Sequence, residues 1–219
     1  MRKAEKSLCV GIAGGSGSGK SRLARFLKRR LGSRAVILCM DWYYRDHGGL
    51  PPAQAKKLNF DHPSAIETPL LLRQLDELLG GREIDAPRYL YATHARLKDS
   101  RRVGPAPVVI LDGLLVLCDK ELRRRLDHSV FIEVPDDVRL LRRIRRDVEH
   151  RRIDLEETLR LYERFVRPMH QTYVQPSAAS ATWLWRQLED KGFPRRLAEI
   201  LRRQLRQVSS DPSRRGRSK

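Results

Sequence analysis

Four short apolar runs mark out the chain: LCVGIA (8–13), AVILCM (35–40), PVVILDG (107–113) and SVFIEV (129–134). None alternates polar and apolar residues at period two, so each predicts a strand buried on both faces. Helical spacing fills the intervals. SRLARFLKRRLG follows the first run and DDVRLLRRIRRDVEHR the last. TPLLLRQLDELLGG (68–81) predicts a helix capped by Thr68, with Pro69 in its first turn and Gly80-Gly81 at its end. In LEETLRLYERFVRPMHQTYV (155–174), Leu155, Leu159, Tyr162, Val166, Met169 and Tyr173 recur at helical spacing, and Pro168 is expected to kink or interrupt the helix. Strands alternating with helices predict an α/β fold, a parallel sheet covered by helices on both faces. No internal repeat or second domain is visible. Residues 1–208 therefore read as one domain, and the polar, basic residues 209–219 as a short disordered tail.

At 219 residues, 40% hydrophobic and 33% charged, the chain has enough apolar material for a core of its own. No run approaches the ~18 apolar residues of a membrane span. MRKAEKS leads straight into a strand, without the pattern of a signal peptide. Cys9, Cys39 and Cys118 lie in or beside apolar runs with no metal-ligand spacing, which predicts buried thiols in a reducing compartment, the cytoplasm. Charge changes the picture more. With 45 Lys and Arg against 27 Asp and Glu, the net charge is +18. That suits a solvated basic surface or a polyanionic partner, either nucleic acid or phosphate esters.

GIAGGSGSGKS (11–21) narrows the choice. It joins a predicted strand to a predicted helix and fits G-x-x-x-x-G-K-[ST] at Gly14, Gly19, Lys20 and Ser21. The small residues Gly14, Gly15, Ser16, Gly17, Ser18 and Gly19 let the backbone curl so that its N–H groups face phosphate oxygens, helped by the positive end of the helix. Lys20 can reach the β/γ-phosphates, and the Ser21 hydroxyl can sit on Mg2+. Such a loop holds a nucleoside triphosphate. A carboxylate ending a buried strand would organise the metal and its water. Asp112 and Asp41 both qualify, although either acid would also serve as a helix cap. Both strands should end at the sheet edge that carries the loop, where open α/β sheets bind ligands. In DDVRLLRRIRRDVEHR, Val138, Leu141, Ile144 and Val148 form an apolar stripe, and Arg139, Arg142, Arg143 and Arg146 gather over roughly 100° on the other side. A bound triphosphate would offset their repulsion; a solvated face linked to Asp147 and Glu149 is the alternative.

The loop specifies a phosphoryl donor but not an acceptor. MDWYYRD, NFDHPSAIETPLLL, YATHARLK, ILDGLLVL, RRIRRDVEHR and FVRPMHQTYVQPSAASA fall in the order and spacing of the uridine kinase (uridine–cytidine kinase) family, which the chain resembles from about residue 8 to residue 181. The resemblance implies a P-loop kinase with an arginine-rich lid. It would move the γ-phosphoryl group of ATP or GTP, with Mg2+, to the 5′-hydroxyl of uridine or cytidine in pyrimidine salvage. It also implies a homotetramer, with no membrane or nucleic-acid partner. By the same resemblance Asp41 takes the proton of the attacking hydroxyl, and Asp61, after Phe60, accepts hydrogen bonds from the ribose. Tyr44, Tyr89, Tyr91 and His94 line the acceptor site; Arg143 and Arg146 contact acceptor and phosphates; Arg151 belongs to the lid. The chemistry agrees, since a carboxylate can accept both protons of a diol and aromatic rings stack on a base. Alone, the tyrosine pair and the histidine would more often be ordinary packing; the motif block reverses that.

Four departures from the family pattern stand out. Asp112 replaces a glutamate one methylene longer; HRRI replaces ERGR, so Ile153 stands for a second arginine; Leu161 stands where a glutamine is common. After Ala181, TWLWRQLEDKGFPRR replaces a glycine-rich segment that would border the adenine, leaving Trp183 and Trp185 as strand residues or a substitute platform. Apolar Ile153 and Leu161 predict looser selection among bases, with ribose still preferred. A same-fold kinase for another riboside or a sugar phosphate is the alternative function. A basic P-loop protein that binds nucleic acid without transfer is the reading from another class; it would not require Asp41, Phe60, Asp61 and His94.

Overall fold

The computed structural model describes residues 7–51, 54 and 57–210. In chain order its main elements are β1 (Leu8–Gly14), α1 (Lys20–Leu31), β2 (Ala35–Cys39), α2 (Thr68–Leu79), β3 (Ile84–Leu90), β4 (Ala95–Val103), β5 (Val108–Asp112), α3 (Lys120–Arg123), β6 (His128–Glu133), α4 (Asp136–Arg145), α5 (Leu155–Leu161), β7 (Trp183–Arg186) and α6 (Phe193–Ser210). Five strands pair in parallel in the order β2-β5-β1-β6-β7, and β3 and β4 form a separate antiparallel hairpin. Successive strand residues face opposite ways. Cys9, Ala13, Val109 and Leu111 meet Leu71, Leu75 and Leu78 of α2, together with the root of the hairpin at Ile84, Ala86 and Val103. Val10, Ile12, Val108 and Ile110 meet Leu23, Leu27 and Leu31 of α1 and Leu197, Leu201 and Leu205 of α6. Each such leucine contributes about 1.5–3 kcal/mol by leaving water. The three-layer α/β fold expected from the pattern is therefore present.

Register positions the site. Asp112 lies beside Ile12 on one side and Cys39 on the other, so β1, β5 and β2 finish together. The loop 15–19, Asp112 and the tight turn Met40–Tyr43 share one sheet edge, as open parallel sheets require.

Local details differ from the sequence pattern for identifiable reasons. The N-cap position of α2 is Glu67, not Thr68, and no side chain caps it; Gly80 closes the other end through its N–H on the Asp76 carbonyl, at 2.9 Å. The helix begun by α5 does not break at Pro168. It continues to residue 177 through π turns at Tyr162–Val166 and His170–Val174, each just before a short α segment that holds a proline, Pro168 or Pro176. A proline ring collides with the carbonyl four residues back, and a π turn moves that carbonyl aside. The wider turns also change which face is buried. Thr158, Tyr162, Val166, His170 and Val174 point inward at intervals of four, whereas Leu155 is 50% exposed.

Four elements lay outside the apolar pattern: the hairpin, α3, β7 and α6. Trp183 and Trp185 are strand residues. Trp185 is buried against Phe193 (ring centroids 5.3 Å apart) with its Nε1 donating to the Asp190 carbonyl, and Trp183 stacks on His128 at 5.0 Å. No disulfide joins the cysteines. Cys9 is buried, but Cys39 and Cys118 are only half-buried, and burial pushes both of those thiols up, away from the reactive thiolate. The last helix runs through Ser210, past the expected boundary at 208, and residues 211–219 of the expected tail lie outside the described residues. Among the described residues no helix is long and apolar enough to cross a membrane.

Candidate active site

The loop between β1 and α1 curls back on itself. Ser18 N–H donates to the Gly15 carbonyl at 3.0 Å, and Lys20 Nζ donates to the same oxygen at 3.1 Å. Gly17 has φ +82°, and a Cβ there would lie 2.4 Å from the Arg139 carbonyl oxygen, so only glycine fits. Arg139 itself is 2% exposed. Its guanidinium donates to the Val134 carbonyl (3.2 Å), to the Ser16 carbonyl (3.5 Å) and to Asp136 (2.5 Å). Arg142 reaches the Gly17 carbonyl at 3.4 Å, while Arg143 and Arg146 reach the Ser16 hydroxyl at 3.1 and 3.5 Å. Four arginines thus fan over the loop.

The arginine face of α4 therefore lies against the loop. Of the apolar stripe, Leu141 (57%) and Val148 (39%) are exposed, whereas Ile144 is half-buried and Val138 packs on the core beside α1 and α6. Arginine tolerates burial when its planar fork is met by acceptors. Loop carbonyls, the Ser16 hydroxyl, Asp136, Gln187 and Asp147 supply them. Asp147 is 0% exposed and pairs with Arg146 Nε (2.9 Å), Arg143 Nε (3.2 Å) and Arg151 Nη1 (3.5 Å). The link to Asp147 offered as an alternative to phosphate binding is real, but it is internal rather than solvated. Glu149 is exposed.

Three carboxylates surround Lys20. Burial lowers the affinity of its amine for the proton, and Asp112, Asp41 and Asp61 oppose that effect. Asp112 ends β5 at 4% exposure, hydrogen-bonded to the Ser21 side chain, and its Oδ1 has no hydrogen-bond partner. Burial holds its carboxyl above the usual range. Asp41 sits in the turn after β2, whose cap position is Cys39, so it is not a cap. Burial, then the Asp112 charge, push the Asp41 carboxyl up to about 6. Asp61 is also raised by burial, with Arg143 the largest opposing influence.

An aromatic cup adjoins these acids. Phe60 stacks on His94 (centroids 4.8 Å, planes 24° apart), and Tyr44 meets Phe60 edge-on at 5.2 Å. Tyr89 lies 5.4 Å from both Tyr44 and Tyr91, and Arg151 covers the Tyr91 ring at 5.4 Å. The hairpin delivers Tyr89 from β3, and Tyr91 and His94 (φ +53°) from its turn. Every acceptor-site residue expected from sequence comes to this edge. Two supporting residues were not singled out. His47 lies edge-on to Phe60, and its N–H donates to the His94 carbonyl at 2.9 Å. Arg96 ties the cup together through the Tyr44 carbonyl (2.8 Å), the Tyr43 carbonyl (3.1 Å) and an ion pair with Glu67. Its place in YATHARLK was the available signal.

The model of the phosphoribulokinase / uridine kinase family matches residues 9–191. The chain belongs to that family. Over 179 residues it is 37% identical to a uridine kinase of Lactobacillus helveticus, covering 81% of this chain and 85% of that one. A uridine kinase of Leuconostoc citreum is 41% identical over 175 residues, 78% of this chain and 83% of that one. Among solved structures, the phosphoribulokinase of Rhodobacter spheroides superposes with a TM-score of 0.58 at 14% identity, covering 81% of this chain and 69% of that one. The D-glycerate 3-kinase of Cryptococcus neoformans gives 0.57 at 17%, covering 79% and 80%. Those two likenesses bear on fold alone.

Within the phosphoribulokinase / uridine kinase family, the HRRI turn has a physical consequence. Arg152 stands where the ERGR pattern has glycine, and its φ is +56°. A side chain in the left-handed region costs about 1–2 kcal/mol. Arg152→Gly is therefore expected to raise the melting temperature by about 1–3 °C, since the relief is partly offset by glycine's greater freedom when unfolded. Thermal melts of the unliganded protein check this; a lower melting point would mean that the Arg152 side chain holds the turn. Ile153 and Leu161, the other departures here, are half-buried and apolar.

Proposed function

We propose that this protein is a nucleoside kinase that transfers the γ-phosphoryl group of ATP or GTP to the 5′-hydroxyl of uridine or cytidine. One observation carries the reading: β1, β5 and β2 finish at one sheet edge and so bring the phosphate loop, Asp112 and Asp41 together, and Arg151 joins Asp147 of the arginine cluster to Tyr91 of the aromatic cup. The loop and Arg143 and Arg146 bind the phosphates. Asp61 takes the ribose hydroxyls, and the cup of Phe60, Tyr89, Tyr91 and His94 takes the base. Asp41 receives the hydroxyl proton. Arg151, spanning Asp147 and Tyr91, closes the lid and excludes water, which protects the triphosphate from hydrolysis.

The donor set also fits Mg2+. Asp112 carries an unpartnered buried oxygen beside the Ser21 hydroxyl, and magnesium is ordinarily held by one or two protein oxygens plus phosphates and water. Bound there, it would neutralise charge on the transferring phosphoryl group. The chain's role is to hold Ser21 and Asp112 at the phosphate end of the loop. Three thiols, two of them pushed up by burial, suit a reducing cytoplasm. The tetramer implied by resemblance is testable by sedimentation.

The deciding experiment is ADP release with Mg2+ across uridine, cytidine, a purine riboside and deoxyuridine. Turnover should depend on a riboside, and Lys20→Ala should abolish it. Equal ATP turnover with and without nucleoside would refute the assignment. Activity with a sugar phosphate alone would favour the same-fold alternative.

A further inference from the structure

We infer that Gln187 is a positioning residue for the donor phosphates, fastening the loop 15–19 to the arginine helix α4. The inference deepens the donor half of the proposed function and rests on that reading. Gln187 directly follows β7, and its N–H donates to the Glu133 carbonyl at 3.1 Å, so its backbone extends the β6–β7 ladder. From that fixed point the side-chain amide works in two directions. Its Nε2 donates to the Ser18 carbonyl at 2.7 Å, and its Oε1 accepts from Arg142 Nη1 at 2.6 Å.

The first bond has a geometric effect on the loop. In a trans peptide the carbonyl and the following N–H point opposite ways. Holding the Ser18 carbonyl toward Gln187 therefore turns the Gly19 N–H away, toward the side where the loop receives an anion. Gly19 permits the approach: its φ is +95°, and a Cβ would lie 2.6 Å from Gln187 Nε2. The second bond fixes Arg142, which also reaches the Gly17 carbonyl. An amide is the natural side chain for this position, because it offers one donor and one acceptor. Arginine and lysine lack the acceptor, and a carboxylate lacks the donor. The strut stands in the segment TWLWRQLEDKGFPRR, which replaces the family's glycine-rich stretch. Behind it, Asp190 accepts from the N–H groups of Gly192 and Phe193, and Lys191 Nζ donates to the Gln187 carbonyl.

The test uses Gln187→Met, which keeps the length and loses both bonds, and Gln187→Glu, which keeps only the acceptor. Binding of ATP and of inorganic tripolyphosphate, each with Mg2+, is measured by calorimetry, alongside melting temperature and uridine affinity. In Gln187→Met both phosphate ligands should weaken about 10-fold, as expected for two lost hydrogen bonds, while uridine affinity and melting point stay close to the parent's. Gln187→Glu should weaken them at least as much, because its charge faces a carbonyl and the phosphates. Unchanged tripolyphosphate affinity in both variants overturns the inference, as does weakening of ATP alone, which would make Gln187 a reader of the base. Equal losses of uridine affinity and melting point would reduce it to a packing residue. Phosphate binding is read without turnover, so a failure of nucleoside-dependent ADP release would sink the kinase reading separately.

Discussion

Asp41→Asn should lower kcat by about 10²–10⁴-fold, the usual worth of a positioned general base, with little change in the KM of the nucleoside. It should also make the unliganded protein more resistant to heat. Both effects follow from the same burial. Desolvation first, and the Asp112 charge second, raise the Asp41 carboxyl from 3.8 to about 6. A base of that strength is better matched to an alcohol proton than an exposed carboxylate would be. The raised value also means that the folded state binds the Asp41 proton more tightly than the unfolded chain does. Stability is then lost as pH rises from about 4 to about 6, and the ionised form remains a burden above that range. Asparagine removes the burden, so the variant's advantage in melting temperature should be present at pH 7.5 and vanish at pH 4. In the parent protein, kcat/KM should fall as pH drops through about 6, because the protonated acid accepts nothing. A variant with near-full kcat, or one with no gain in melting temperature at pH 7.5, would leave Asp41 without the role assigned to it.

The sequence showed the donor half of the site clearly and the acceptor half only through likeness. A glycine loop between a strand and a helix requires no distant partner to be understood, so residues 14–21 could be placed in advance. Asp112 and Asp41 were legible for a related reason: parallel strands on one sheet finish at one edge. The hairpin that carries Tyr89 and Tyr91 was not legible. Its strands, IDAPRYL and ARLKDSRRV, are largely exposed and carry no apolar period, and only the root at Ile84, Ala86 and Val103 is buried. The arginine helix was legible as two faces, but the loop carbonyls that meet its arginines were not. Its pattern is plainly amphipathic, but a face lined by carbonyls and one buried aspartate attracts arginines as well as a core attracts leucines. The π turns near Pro168 and Pro176 follow from proline chemistry, yet the choice between a kink and a widened turn depends on what the helix packs against. Gln187 lay in a segment with no known pattern, and nothing in the residue alone announces a strut.

Asp147→Asn should cost about 3–5 kcal/mol of stability, the range for breaking a buried charge pair, and the loss should be partly repaired by ATP with Mg2+. Asp147 is fully buried, and Arg143, Arg146 and Arg151 converge on its two oxygens at 2.9–3.5 Å. Asparagine keeps the shape, removes the negative charge, and turns one acceptor into a donor aimed at a guanidinium. Arg143 is the most exposed to the change. Burial already holds its guanidinium below the usual range, while Asp61 and Asp147 oppose that effect, so losing one leaves Asp61 as the main counter-charge. For a chain of this size the loss corresponds to roughly 6–20 °C in melting temperature. A bound triphosphate supplies negative charge to the same arginines, so ATP with Mg2+ should raise the melting point of the variant by more degrees than that of the parent. Differential scanning fluorimetry with and without nucleotide measures both quantities. Equal shifts in the two proteins would mean that the arginines answer to Asp147 alone and do not hold the phosphates. A melting point unchanged by the substitution would remove Asp147 from the lid's architecture.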